Sequence, residues 1–214
     1  MIVTVTVPLR AFRAIAPAMA TNDVRYYLNG IYLETNRAET RLVATNGHRM
    51  HCVRINDDSA LVDWPTSAII PDTLVKAICK VKAPRYLADP TVRITLDEGK
   101  IGITLPDGTS ISGTAIDGVY PDYRRVIPDK TATGEPAAYN VDYLADAIDG
   151  ARAWTDNKKL DLFPKTNGDK SAIVSIDCYL AIVMPLRLDY LTDHAPAAWK
   201  DALEQPAMPQ GVAA

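Results

Sequence analysis

Residues 23–50 read DVRYYLNGIYLETNRAETRLVATNGHRM. Two runs, Tyr26–Thr35 and Arg41–Thr45, alternate apolar and polar positions, the period of a half-buried strand. The polar turn Asn36-Arg37-Ala38-Glu39 separates them. An Asn46-Gly47 pair then announces a tight hairpin, because its backbone wants positive φ, and a third strand follows at Arg49–Ile55. Upstream, Ile2–Val7 alternates apolar residues with Thr, which is again strand grammar. Pro8 sits where a helix tolerates proline best, at its start. The pattern predicts a helix over Leu9–Ala16, with Leu9, Phe12 and Ile15 on one side and Arg10 and Arg13 pointing elsewhere, ended by Pro17. The resulting unit is βαβββ.

The unit recurs. Ala68–Ile70 reads as a strand, Pro71 opens a helix over Asp72–Val81, and strands follow at Thr91–Leu96, Ile101–Leu105 and Thr109–Ile116. Their turns, Asp97-Glu98-Gly99-Lys100 and Pro106-Asp107-Gly108, are hairpin signals. A third copy starts with a strand at Ala138–Asn140 and a helix at Val141–Ala151. Strands are predicted next at Lys159–Phe163, Ser171–Asp177 and Tyr179–Pro185. The steps Ala14-Ile15, Ala77-Ile78 and Ala147-Ile148 align, at spacings of 63 and 70 residues. The fold expected is α+β with three βαβββ repeats. Two such units can cover each other's helix faces in two layers. The third, of about 55 residues, buries too little surface to be secure alone, which predicts an oligomer. After Leu188 the chain turns Ala- and Pro-rich; residues 189–214 read as a frayed tail or a short helix over 197–204 presenting Trp199 and Leu203.

The chain has 214 residues and a net charge of −3, so a uniform coat for nucleic acid is excluded while a local basic face is not. No run of about 18 apolar residues is present, and MIVTVTVPLR lacks the form of a signal peptide. Three scattered cysteines, Cys52, Cys79 and Cys178, suit a reducing cytoplasm rather than a disulfide framework. Nucleotide-binding glycine loops, HExxH and GxSxG are absent. His48, His51 and Cys52 do not share one strand face, and Asp142, Asp146 and Asp149 form a solvated helical face before they form an acid–base site. No catalytic residue, metal or cofactor is expected.

Three segments, DVRYYLNGIYLE…LVATNGHRM, VYPDYRRVIP (Val119–Pro128) and AIVMPLRL (Ala181–Leu188), carry a resemblance to the bacterial DNA polymerase III beta subunit, the sliding-clamp family. The resemblance covers about residues 1–188. It implies the DNA-clamp fold in a shortened form: residues 1–128 as a complete domain like the family's middle one, and 129–188 like the second half of its last. Family rings hold twelve units, so three per chain implies a homotetramer in which third units pair. The implied function is a cytoplasmic processivity factor that encircles double-stranded DNA without reading sequence and tethers DNA polymerase. The alternative is a clamp-like protein that inhibits or redirects replisome components. The DNA-facing residues implied are Arg10, Arg13, Asn22, Arg25, Tyr26, Tyr27, Lys76, Lys80 and Lys82. The aspartates of the third helix break that wall. The cleft implied for polymerase and clamp-loader peptides is lined by Leu28, Thr45, Gly47, His48, Arg49, Met50, Pro121, Tyr123, Arg125, Val126, Val183, Met184, Pro185, Leu186 and Arg187. The tail, carrying Trp199 and Leu203, begins beside this cleft and can fold back to occupy it.

Overall fold

The computed structural model describes residues 2–36, 38–56, 66–82, 84–128, 137–168 and 170–186. The first repeat comprises β1 (Ile2–Pro8), α1 (Leu9–Ile15), β2 (Gly30–Thr35), β3 (Glu39–Thr45) and β4 (Arg49–Asn56). The second comprises β5 (Thr66–Pro71), α2 (Asp72–Lys80), β6 (Thr91–Asp97), β7 (Lys100–Thr104) and β8 (Ser110–Thr114). The third contains α3 (Val141–Thr155), β9 (Lys165–Thr166), β10 (Ala172–Ile176) and β11 (Tyr179–Val183). The chain is α+β, as the periodicities predict. Among the described residues no helix is long and apolar enough to cross a membrane.

The first two repeats complete each other by exchanging strands. β1 pairs antiparallel with β6, and β5 pairs antiparallel with β2. One sheet therefore runs β1-β6-β7-β8, and the other begins β5-β2-β3-β4. The exchange is reciprocal at the helix starts: Leu9 N–H donates to Pro90 O (2.7 Å) and Asp72 N–H to Asn29 O (3.1 Å). The third repeat then extends the second sheet through a β4–β11 ladder, giving β5-β2-β3-β4-β11-β10-β9. Apolar positions of both sheets and all three helices meet in one core containing Val5, Phe12, Ile31, Ile78, Ile94 and Val183.

Several sequence expectations are corrected. Tyr26–Leu28 forms a 3-10 turn, and the strand begins only at Gly30. A Cβ at Gly30 would stand 2.5 Å from Ile70 O, so the close β2–β5 approach depends on glycine there. α1 is buried on more than the Leu9–Phe12–Ile15 side, because Ala11 and Ala14 are also fully buried. In place of a strand at Ala138–Asn140 there is one bridge, Ala138 to Leu186. Among the described residues that segment has no neighbouring repeat to pair with, as β1 and β5 have. The Lys159–Phe163 strand is absent, and the sheet's last strand is the two-residue β9. α3 runs on to Thr155, where Asp156 ends it in a left-handed conformation (φ 51°). Finally, Ala147 rather than Ile148 is the fully buried residue of the aligned step. The half-buried Ile148 lies on the flank of α3 that no other described repeat covers, while the aligned Ala14 and Ala147 are both fully buried. The tail beyond Leu186, with Trp199 and Leu203, lies outside the described residues.

Candidate functional site

The second sheet is covered on both faces, and this creates the candidate site. Strand alternation sends His51 and Val53 of β4 toward the helices and Met50 and Cys52 toward the other face. On that outer face Leu28, Val43, Met50, Cys52, Ile69, Tyr120, Tyr123 and Ile182 form a second, smaller core. The VYPDYRRVIP segment lies over it and is fastened at several points. The Tyr120 ring stacks on Tyr32 at 4.8 Å and its hydroxyl lies 3.4 Å from Val43 O. Asp122 caps a 3-10 turn, Tyr123–Val126, by accepting from Arg124 N–H. The Tyr123 hydroxyl donates to Glu34 and accepts from Arg41 (3.2 Å), while Arg124 also bonds Glu34. Burial first, and then the hydrogen bond to Glu34, push the Tyr123 phenol above its ordinary range, so it stays a neutral donor. The same burial pushes the Cys52 thiol up to about 12, which makes it a packing residue rather than a nucleophile.

Where this segment leaves the sheet, a groove of about 230 Å³ opens at the joint of the first and third repeats. Of the cleft residues named from sequence, Leu28, Thr45, Gly47, Arg49, Met50, Pro121, Tyr123, Val126 and Met184 line it. Arg25, Tyr27, Asp122 and Ile182 line it too and were not foreseen for the cleft. Ile182 could have been found from alternation along β11: residues 182 and 184 share the groove face, whereas Val183 points into the main core. Leu186 is 44% exposed and Pro185 half-buried, both just past β11 and outside the lining. The Arg125 side chain is 85% exposed and ion-pairs with Asp122 at 3.5 Å. Arg187 lies outside the described residues.

Two arginines expected to greet ligands are held by the protein. Arg49 bonds Asp146 and Pro17 O and lies over the Tyr143 ring at 4.3 Å, so it ties α3 and the end of α1 to β4. Its side chain is only 10% exposed. Arg25, expected to face DNA, grips Asp23 (Nε–Oδ1 3.0 Å, Nη2–Oδ2 2.6 Å) and Asn46 O (3.0 Å). The hydrogen bonds from Arg25 hold the Asp23 carboxyl down to about 2. A Cβ at Gly47 would stand 2.7 Å from Arg25 Nη1, and Gly47 has φ +88°, so this turn is doubly a glycine position. His48 is exposed and stacks loosely on Tyr143, with centroids 6.5 Å apart.

The remaining basic and aromatic residues are spread over the helix side and its loops. Arg10 pairs with Asp89 (3.1 Å) and lies 4.8 Å from the Trp154 ring centroid. Arg13 donates to Val81 O, and Lys76 pairs with Asp72 on its own helix. Lys80 and Lys82 are exposed. Tyr26 is 57% exposed and meets Tyr27 edge-on, while Asn22 takes φ 54° at the surface. The acidic face of α3 is partly used up: Asp146 binds Arg49 and Asp149 binds Arg152, leaving Asp142 exposed at the helix start. Among the described residues no cluster of three or more His, Cys, Asp and Glu is placed to hold a metal.

Comparison with known proteins agrees with the fold. The sequence profile described as DNA polymerase III beta subunit, central domain, matches residues 4–122. The beta sliding clamp of Pseudomonas putida is 34% identical over 140 residues, covering 61% of this chain and 35% of that protein. The beta sliding clamp of Pseudomonas aeruginosa is 36% identical over 121 residues, covering 55% and 32%. The chain thus matches about a third of the length of these relatives. A crystal structure of the DNA polymerase sliding clamp from Pseudomonas aeruginosa superposes with a TM-score of 0.66 at 23% identity, covering 87% of this chain and 67% of that one. That overlap extends past residue 122 into the third repeat, and it shows the fold. With the profile matching more than half of its residues, the chain belongs to the DNA polymerase III beta subunit family, through that family's central domain.

Proposed function

We propose that the protein is a DNA sliding clamp: a non-enzymatic ring around double-stranded DNA that tethers DNA polymerase and other replication or repair proteins through the groove between its first and third repeats. The observation that carries this reading is the groove. It is apolar, open at Met184, Val126 and Pro121, and walled by three segments distant in sequence. Such a groove suits a short extended peptide with a few apolar side chains, and its two methionines adapt to different ones. The relatives are named sliding clamps, which supports the same reading. Exposed Arg13, Lys76, Lys80 and Lys82 on the helix side supply phosphate contacts without base readout, so the ring slides.

Residues 1–128 act as one complete clamp domain and residues 129–188 as half of another. The third repeat is completed by the third repeat of a second copy, in the reciprocal manner of the first two. Twelve units per ring then require four chains. Loading onto a nicked circular duplex tests the function. A clamp remains bound to the closed circle and slides off when the same DNA is linearised. Equal retention on both forms, or none on either, replaces this reading with that of a clamp-like protein that binds replisome components without encircling DNA.

A further inference from the structure

Pairing of third repeats joins only two chains and leaves the second repeat, with its edge strand β8, at each outer end. We infer that β8 is the second assembly surface, taken by β8 of another copy in an antiparallel ladder centred on Ile111. The inference rests on the ring assembly proposed above, and its pattern is already present once within the chain.

The β4–β11 seam joins last strands of two repeats in near two-fold fashion. Arg49, His51 and Val53 stand opposite Val183, Ala181 and Tyr179, so the third residue of each strand faces the third of the other. β8 is also the last strand of its repeat. Its equivalence to β4 follows from the hairpin bonds: Asn46 N–H donates to Arg49 O, and Leu105 N–H to Thr109 O. Thr109 therefore corresponds to Arg49, and Ile111 to His51.

Backbone direction fits as well. The bonds Leu105 N to Thr109 O and Ala115 N to Gly99 O aim the odd-numbered residues of this segment at β7. Ser110, Ser112 and Thr114 consequently direct N–H and C=O outward. Even-numbered residues of β4 do the same toward β11, as Arg54 N–H to Cys178 O (2.9 Å) shows. β8 pairs with β7 without a bulge over all its five residues, and its sequence SISGT has neither proline nor charge to protect the edge.

The helix beneath offers a matching flank. At the β4–β11 seam, α1 and the 3-10 turn after it pack on α3, and their small residues Ala11, Ala14 and Ala18 are all fully buried. Sixty-three residues further on, the same positions of the second repeat are Leu74, Ala77 and Val81. Leu74 lies where a Cβ on Gly113 would approach within 3.1 Å, so this flank borders β8. Ala77 and Val81 are half-buried, as Ala14 would be without α3.

Two variants of the full chain test the contact. Ser112→Pro removes an outward N–H while leaving the β7 ladder intact, and proline is tolerated on edge strands. The mass in solution should be four chains for the unaltered protein and two for this variant. Ile111→Cys, with Cys79 and Cys178 replaced by Ser, places two thiols face to face across the axis in a pair close enough for a disulfide. Oxidation should yield a two-chain species on a non-reducing gel, whereas Ile2→Cys in the same background should not. A one- or two-chain mass for the unaltered protein, a four-chain mass for a folded Ser112→Pro, or no cross-link from Ile111→Cys overturns the contact. If all three results are as expected and the ring still fails to stay on circular DNA, the contact stands and the clamp function falls.

Discussion

The first two repeats and the third are built from the same elements and end in different states. In the former, helix starts are tied reciprocally by Leu9 N–H to Pro90 O and Asp72 N–H to Asn29 O, and ladders of seven and six residue pairs close the exchange. In the latter, the described residues just before α3, 137–140, make one bridge, and Val141 and Phe163 are 74% and 84% exposed. Val141, Ala145 and Ile148 line a flank of α3 at helical spacing, and none of them is fully buried. The difference teaches that a strand is a property of a pair. The alternating pattern supplies a face, but its hydrogen bonds need a neighbour.

Four experiments break or sharpen that contrast. Phe12→Ala strikes the completed pair of repeats, where the ring is fully buried. It should cost about 3–5 kcal/mol in urea denaturation, enough to unfold a marginal domain. The next effect belongs to the seam with the third repeat. His51 is fully buried there, its Nδ1 3.2 Å from both Ala14 O and the Tyr179 hydroxyl. Burial lowers its pKa from 6.5 to about 4, with the nearby Arg49 charge adding to the shift and Asp146 opposing it. The folded state therefore takes up this proton later than the unfolded chain. Stability is full above about pH 6.5 and is lost as pH falls toward 4, by about 3 kcal/mol. His51→Phe should flatten that part of the pH–stability curve; an unchanged slope refutes it.

Gly150→Ala comes third. Its Cβ would meet Ala14 O at 2.5 Å and the Tyr179 hydroxyl at 2.2 Å, so α1 and α3 must separate. A loss of about 1–3 kcal/mol is expected, confined to the third repeat and visible in Trp154 fluorescence. A loss shared equally by the first two repeats would mean that the seam is not a separable unit. Val141→Ser has the smallest effect on the chain itself, within about 0.5 kcal/mol because the side chain is exposed. Self-association of the third repeats should weaken all the same. Light scattering over a dilution series reads this directly, and an unaltered profile argues against pairing at this flank.

Most of the fold was legible because its signals are local. Asn46-Gly47 and Asp107-Gly108 mark hairpins through their φ preferences, and Pro8 and Pro71 mark helix starts. Two of the errors share a cause. Ala138–Asn140 and Lys159–Phe163 have strand composition but find no ladder among the described residues beyond the Ala138–Leu186 bridge, whereas Tyr26–Leu28 closes locally into a turn before β2. For the groove, the segments were legible and the individual side chains less so. Arg49 and Arg25 look like ligand-binding residues in one dimension. Asp146 and Asp23, which neutralise them, are 97 and two residues away, and only the distant one depends on the fold.

By itself the sequence determined the repeat grammar and the hairpin turns, because period and turn chemistry act over a few residues. Only the tertiary structure decided that β4 joins β11, that Ile182 rather than Val183 faces the groove, and that Arg49 is spent on holding α3. Those outcomes depend on which elements meet and in what register, and a one-residue change of register turns every side chain to the opposite face.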